Sequence, residues 1–231
     1  MKPSAVVLLS GGLDSATALA LAIRDGFSPL ALTFRYGQRH SREVAAARAL
    51  AKHFKVSEHL VHDLDLRPIA KSALTRREED VPVGRSRMDI SKGIPATYVP
   101  SRNIIMLSIA ASLAESRGAG DVFIAAHAVD YSGYPDCRPE FFEAFEEALR
   151  RGTKTGVEGS PIRIRAPLLK MGKAEIVRLG SALGVPFGKT WSCYLGGKRA
   201  CGRCDSCVLR LSGFAEAGIE DPVRYARRAP S

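Results

Sequence analysis

The chain repeatedly alternates short apolar runs with longer stretches of helical periodicity, and this alternation strongly constrains its fold. An uninterrupted apolar run is typical of a strand buried on both faces of a parallel sheet. The predicted strands are residues 5–9, 29–34, 58–61, 121–126 and 162–166. The predicted helices are residues 17–24, 43–53, 103–117, 139–151 and 173–183. We therefore expect an α/β fold in which a Rossmann-like parallel sheet carries helices on both faces.

Size and charge narrow the class of protein further. The 231 residues suffice for one substantial domain with a small appendage. No apolar stretch approaches the length of a membrane span, and we expect a cytoplasmic protein. The net charge of +10 indicates an anionic partner such as a nucleotide, phosphate or RNA, although it also serves solubility. Residues 65–100 are predicted to be irregular, and residues 221–231 to be a frayed tail.

The segment SGGLDS, residues 10–15, joins the first predicted strand to the first predicted helix. Its glycines permit a tight turn and let backbone N–H groups approach an anion, and the helix adds its positive end. The segment lacks the lysine of a Walker loop and the third glycine of a dinucleotide fingerprint. Asp14 beside a polyphosphate indicates a shared Mg²⁺, which suits an enzyme that releases pyrophosphate. The structural alternative is a glycine turn in which Asp14 caps the helix.

This loop resembles SGGxDS, the pyrophosphate-binding loop of the N-type ATP pyrophosphatases. Further segments resemble, in this order, the 7-cyano-7-deazaguanine synthase family: FRYGQRHSREV, TYVPSRN, DYSGYPDCRPEFFEAF, PLLKMGKAEIV and a four-cysteine tail. The resemblance covers nearly the whole chain and departs at Leu13, where the family commonly has Gln. It implies an adenine nucleotide alpha hydrolase-like fold. It also leads us to expect ATP to be bound by Leu8, Leu9, Ser10, Gly11, Gly12, Leu13, Asp14, Ser15, Ala16, Thr17 and Ala18.

The resemblance implies an ATP-dependent ligase that forms a C–N bond. Such enzymes convert 7-carboxy-7-deazaguanine and ammonia to 7-cyano-7-deazaguanine, which leads to queuosine-type tRNA modification. The acid is adenylated and aminated to an amide, which is adenylated in turn and eliminates to the nitrile. ATP is expected to bind with Mg²⁺, and the protein to form a homodimer without direct contact to nucleic acid or membrane. Two rival classes remain, a tRNA-modifying ATP pyrophosphatase acting directly on RNA and a non-enzymatic RNA-binding module, and salt-dependent tRNA binding would favour either.

A polar loop follows the fourth predicted strand, where ligands bind in α/β folds. Its candidate substrate-binding residues are Asp130, Tyr131, Tyr134, Asp136 and Arg138. A carboxylate could accept hydrogen bonds from the deazaguanine ring, a tyrosine could stack on it, and the arginine could hold its carboxylate bidentately. The structural alternative is a helix-start loop in which the second aspartate is a cap.

The remaining candidates are basic residues near other helix starts. Arg102 begins a helix beside the expected cleft, and it could meet phosphate or substrate or be an ordinary surface arginine. Lys173 and Lys170 are equal candidates on charge to neutralise a phosphate, and the family pattern favours Lys173. His40 could bear on the nucleotide or be an ordinary histidine. The expected catalytic set is Asp14, Ser15, Lys173 and Arg138.

Four of the five cysteines cluster near the end of the chain, at Cys193, Cys201, Cys204 and Cys207. A cytosolic chain keeps thiols reduced, so the spacing favours a metal site over disulfides. Four thiolates close a tetrahedral zinc site and leave no position for a catalytic water, which predicts a structural role. An iron–sulfur cluster is the chemical alternative. We expect a nucleotide domain over residues 1–190 and a small zinc-binding helical region over residues 191–231.

Overall fold

The computed structural model describes residues 2–76, 78–90, 92–127 and 133–226. The strands among them are β1 (Ser4–Leu8), β2 (Ser28–Arg35), β3 (Glu58–Asp63), β4 (Asp121–Phe123) and β5 (Arg163–Arg165). They form one parallel sheet in the order β3-β2-β1-β4-β5. The parallel sheet is therefore confirmed, although β4 ends at Phe123, earlier than predicted.

Eight α-helices lie within the described part of the chain. They are α1 (Leu13–Arg24), α2 (Arg42–His53), α3 (Arg87–Ile90), α4 (Arg102–Arg117), α5 (Pro139–Gly152), α6 (Lys154–Val157), α7 (Lys173–Ala182) and α8 (Asp205–Ala217). The first helix begins at Leu13, not at residue 17 as predicted, because helical geometry follows the glycine turn at once. Asp14 and Ser15 consequently lie in its first turn.

The two faces of the sheet carry separate cores, as the alternating strand pattern requires. On one face Val6 packs with Leu107 of α4 and Phe142 of α5. On the other face Ala5 and Val7 join buried residues of α1, α2, α7 and α8. Helices therefore cover both faces, which is the predicted layer arrangement.

The long segment between β3 and α4 covers the cysteine region. Its one helix among the described residues is α3, so the prediction of an irregular segment is confirmed. Val83 forms an antiparallel bridge with Cys204, and the N–H of Gly84 donates to the carbonyl of Arg203 at 2.8 Å. The segment thus packs against the metal-ligand candidates.

The prediction of a frayed tail is wrong for residues 221–226. Arg210 of α8 is buried, and its Nε donates to Asp221 Oδ2 at 2.8 Å. The hydroxyl of Tyr225 also donates to that carboxylate, at 2.5 Å. A buried guanidinium needs an anionic partner, and this requirement fixes the segment. Residues 227–231 lie outside the described residues.

Within the described residues, no helix combines the length and apolar character that a membrane span needs.

Candidate active site

The site lies where the sheet order reverses, between the carboxyl ends of β1 and β4. Asp14 follows β1, His127 follows β4, and Lys173 begins α7 after β5. Lys173 Nζ donates to Asp14 Oδ1 at 2.9 Å and to Oδ2 at 3.0 Å. Its distance to His127 Nε2 is 2.7 Å. Because a lysine ammonium can only donate, Nε2 accepts and His127 is neutral.

The charges around Asp14 favour its ionised form. Burial raises the pKa of Asp14, but the charge and hydrogen bonds of Lys173, together with the charge of Arg210, lower it more, and the net pKa lies below the ordinary value of 3.8. The side chain remains a quarter exposed and so is open to the crevice. The site therefore presents a carboxylate at neutral pH, held beside an ammonium group.

The loop after β1 has the geometry of an anion cradle. Gly11 has a φ of +90°, and a Cβ there would lie 2.2 Å from the carbonyl oxygen of Glu43, so only glycine fits. Ser10 Oγ lies 3.0 Å from Ser15 Oγ, which also donates to the carbonyl of Gly12 at 3.1 Å. Gly12 precedes α1 and has no side chain to cap it, which leaves the first N–H groups for a ligand.

A cavity of about 270 Å³ opens onto this loop. Of the residues expected to bind ATP, those that line it are Leu8, Leu9, Ser10, Gly12, Asp14 and Ser15. Leu13, Ala16, Thr17 and Ala18 are buried in α1 beneath the loop and do not line it. Leu13 is therefore a core residue.

Two of the expected substrate residues also line the cavity. Arg102 has its guanidinium 5.9 Å from the ring centre of Tyr36. The hydroxyl of Tyr134 lies 3.1 Å from Thr97 Oγ1, and this tyrosine lines the cavity as well. Asp130 and Tyr131 lie outside the described residues.

The structure places Asp136 and Arg138 away from the cavity wall. Asp136 is buried, and its Oδ2 accepts the backbone N–H of Asn103 at 2.9 Å. Asn103 Nδ2 lies 3.4 Å from Oδ1 of the same carboxylate. Asp136 therefore caps the start of α4. The structural alternative also predicts a capping role for Asp136, but for the helix that follows its own loop. Arg138 is exposed and precedes α5.

The four clustered cysteines satisfy the geometry of a metal site. Their Sγ atoms all lie within 4.8 Å of one another, and those of Cys201 and Cys207 are 3.8 Å apart. Tetrahedral zinc with bonds of about 2.3 Å would separate its sulfur ligands by about 3.8 Å. The N–H of Cys201 donates to Cys193 Sγ at 3.3 Å, and that of Cys204 to Cys201 Sγ at 3.2 Å. The cluster can therefore hold a metal ion such as zinc.

His40 and Cys137 have structural partners. His40 Nε2 lies 2.9 Å from the carbonyl of Cys193, and the ring packs against Gly196. Cys137 is buried beside the cavity, and Asn103 Nδ2 lies 3.1 Å from its sulfur.

Sequence reasoning missed His127 and Glu43. His127 follows β4 and Glu43 follows β2. A polar residue that follows a parallel strand is a candidate for the ligand site, and this position could have identified both. Glu43 lines the cavity, and burial raises its pKa to about 7, although Arg102 acts in the opposite direction. The site therefore holds two acidic groups in different electrostatic surroundings.

The fold and the site together define an α/β protein with a glycine-rich anion loop at the carboxyl edge of a parallel sheet and a four-cysteine cluster that could hold a metal ion. Among solved structures, the fold is similar to that of NMN synthetase from Francisella tularensis. That match has a TM-score of 0.51 and 15% identity, and it covers 95% of this chain and 78% of the other.

The model of the family described as queuosine biosynthesis protein QueC matches residues 4–218, and the chain belongs to this family. A relative named 7-cyano-7-deazaguanine synthase from Thermoplasma acidophilum is 56% identical over 98% of this chain and 93% of its own. Another of that name, from Geotalea daltonii, is 56% identical over 99% of both chains.

Proposed function

We propose that this protein is an ATP-dependent synthetase that converts 7-carboxy-7-deazaguanine and ammonia to 7-cyano-7-deazaguanine. The observation that carries the proposal is the near full-length identity of more than half to relatives named for this product. The loop and cavity supply what such chemistry needs, an anion cradle beside a site for a small substrate.

The residues between the carboxyl ends of β1 and β4 activate the acid. The carboxylate of the substrate attacks the α-phosphorus of ATP, and pyrophosphate leaves. Backbone N–H groups of the loop and the ammonium of Lys173 stabilise the charge that develops on the phosphate oxygens. Asp14 is ionised and partly exposed, so it fits Mg²⁺. Mg²⁺ bound there with ATP would neutralise triphosphate charge.

The acid itself is placed by the cavity wall. Arg102 is the basic residue among the described wall residues, and we assign it the carboxylate contact that the sequence analysis proposes for Arg138. The rings of Tyr36 and Tyr134 offer faces for the flat substrate. Asp130 stays a proposal for the ring edge, Tyr131 for stacking on the ring, and Arg138 as a second candidate for the substrate carboxylate. Asp136 supports the site through Asn103.

We further propose that the tetracysteine site holds zinc and is structural. Four thiolates leave no open coordination position, and the site closes a loop against the segment between β3 and α4. The N–H of Trp191 donates to the carbonyl of Gly11 at 2.8 Å, which ties this region to the phosphate loop. We keep the division into residues 1–190 and 191–231 as a proposal on these grounds.

Three expectations about the protein in the cell remain proposals. They are a homodimer, a cytoplasmic location and no direct contact with nucleic acid. The family resemblance supports the first, and the small-molecule cavity supports the last. Light scattering of the purified protein tests the dimer, and filter binding with tRNA at two salt concentrations tests the last.

The test of the function is nucleotide analysis by chromatography. With ATP, Mg²⁺, ammonium and 7-carboxy-7-deazaguanine, we expect AMP and pyrophosphate, and no ADP, only when the acid is present. Asp14→Asn should lower this rate about 100-fold, and Asp25→Asn, at an exposed surface pair, should not. AMP release that needs tRNA in place of the acid would instead identify an enzyme that acts on RNA.

A further inference from the structure

Among the described residues that line the cavity, two are acidic, Asp14 and Glu43. Asp14 is paired with Lys173 at 2.9 Å. The carboxylate of Glu43 has no hydrogen-bond or ion-pair partner among the described residues. The cation that acts on this carboxylate is Arg102, which lowers its pKa without forming an ion pair with it among the described residues.

Glu43 lies at the phosphate end of the cavity. It is in the first turn of α2, and its carbonyl is pressed against Gly11 of the loop. In the adenylated acid, the reacting carbon is joined through one oxygen to the α-phosphate. The guanine-like edge lies on the other side of the bicyclic ring. The backbone of Glu43 thus lies beside the loop that would hold the α-phosphate, and its side chain is part of the lining of the same cavity.

Formation of the amide needs a group that attracts ammonium and accepts a proton from it. At neutral pH ammonia is present almost entirely as ammonium, which has no lone pair with which to attack. An anionic side chain attracts ammonium into the cavity and can then take its proton. Burial raises the pKa of Glu43 to about 7, so it is a better base than an exposed glutamate.

We propose that Glu43 binds ammonium and accepts its proton in the amide-forming step, an inference that rests on the proposed function. Ammonium gives one proton to the Glu43 carboxylate. The freed lone pair of nitrogen forms the C–N bond to the acyl carbon. The bond from that carbon to the oxygen of AMP breaks, and AMP leaves with the electron pair. The surplus proton on nitrogen passes to water, and nothing is oxidised or reduced.

The test compares two nucleophiles on the same adenylated acid. Hydroxylamine is largely neutral at pH 7.5 and needs neither an anion to attract it nor a base to free its lone pair. We expect Glu43→Gln to lower amide formation at subsaturating ammonium about 100-fold. Hydroxamate formation should stay within about threefold of wild type. Glu43→Asp should recover part of the ammonium reaction, and Glu143→Gln, at an exposed site on α5, should change neither.

Other outcomes overturn the inference in distinguishable ways. Equal loss of amide and hydroxamate in Glu43→Gln would mean that Glu43 places the acid or ATP. A raised KM for the acid with an unchanged ammonium dependence would mean that Glu43 contacts the ring edge. A wild-type protein that forms neither product from the acid and ATP would overturn the proposed function, and this inference with it.

Discussion

Replacing Lys173 by methionine removes the cation that pairs with Asp14 while keeping most of the side-chain volume. In the wild-type protein the ammonium offsets the charge of Asp14, and His127 is neutral. The variant would leave one uncompensated negative charge facing the phosphates of ATP. At about 5 Å and an effective dielectric constant of about 20, one unit of charge is worth about 3 kcal/mol. We therefore expect the rate of acid-dependent AMP formation to fall about 100-fold.

The assay follows AMP by chromatography at saturating ATP, and the effect should appear mainly in kcat. Lys170→Met is the matched control, because Lys170 is exposed and lies in the turn just before α7. Circular dichroism and thermal melting establish that both variants are folded. A Lys173→Met rate within about threefold of wild type, or an equal loss in Lys170→Met, would refute the electrostatic argument.

Three further predictions concern stability and metal content. Because burial raises the folded-state pKa of Glu43 from 4.5 to about 7, the folded protein keeps a proton in this interval that the unfolded chain has lost. Stability is thus lost as pH rises through this window, by up to about 3 kcal/mol, and Glu43→Gln should raise the melting temperature at pH 8 but not at pH 4. Asp221→Asn leaves the buried Arg210 charge without its anion and should cost about 3 kcal/mol in chemical denaturation. Cys201→Ser should reduce bound zinc below one equivalent by elemental analysis and lower the melting temperature.

For each of these three predictions, one result would contradict it. Equal shifts of Glu43→Gln at both pH values would remove the titration argument. An Asp221→Asn loss below about 1 kcal/mol would mean that the pair is dispensable. Iron with visible absorbance in the purified protein would replace the zinc assignment by a cluster.

The layer arrangement, the phosphate loop and the cysteine cluster could be predicted from the sequence, because each depends on residues that are close together in the chain. A buried parallel strand is a continuous apolar run, and SGGLDS carries its own turn and helix start. The four cysteines lie within a short stretch and so meet without help from the rest of the fold. These features depend little on long-range packing.

The errors and omissions concern partners that topology supplies. The substrate role of Asp136 stays a prediction, and its hydrogen bond with the backbone of Asn103 depends on the packing of α4. The tail was expected to fray because nothing near Asp221 in sequence reveals that Arg210 is buried and needs it. His127 and Glu43 join the site only because β4 and β2 both neighbour β1. Such pairings require the strand order, which single-sequence patterns do not encode.

The most direct test of the central claim is mass spectrometry of the deazapurine after incubation with ATP, Mg²⁺ and ¹⁵N-ammonium. The account predicts that 7-carboxy-7-deazaguanine disappears, that a labelled amide rises and falls, and that the nitrile accumulates with one ¹⁵N atom. An unchanged acid in the presence of folded, zinc-loaded protein and consumed ATP would contradict the account.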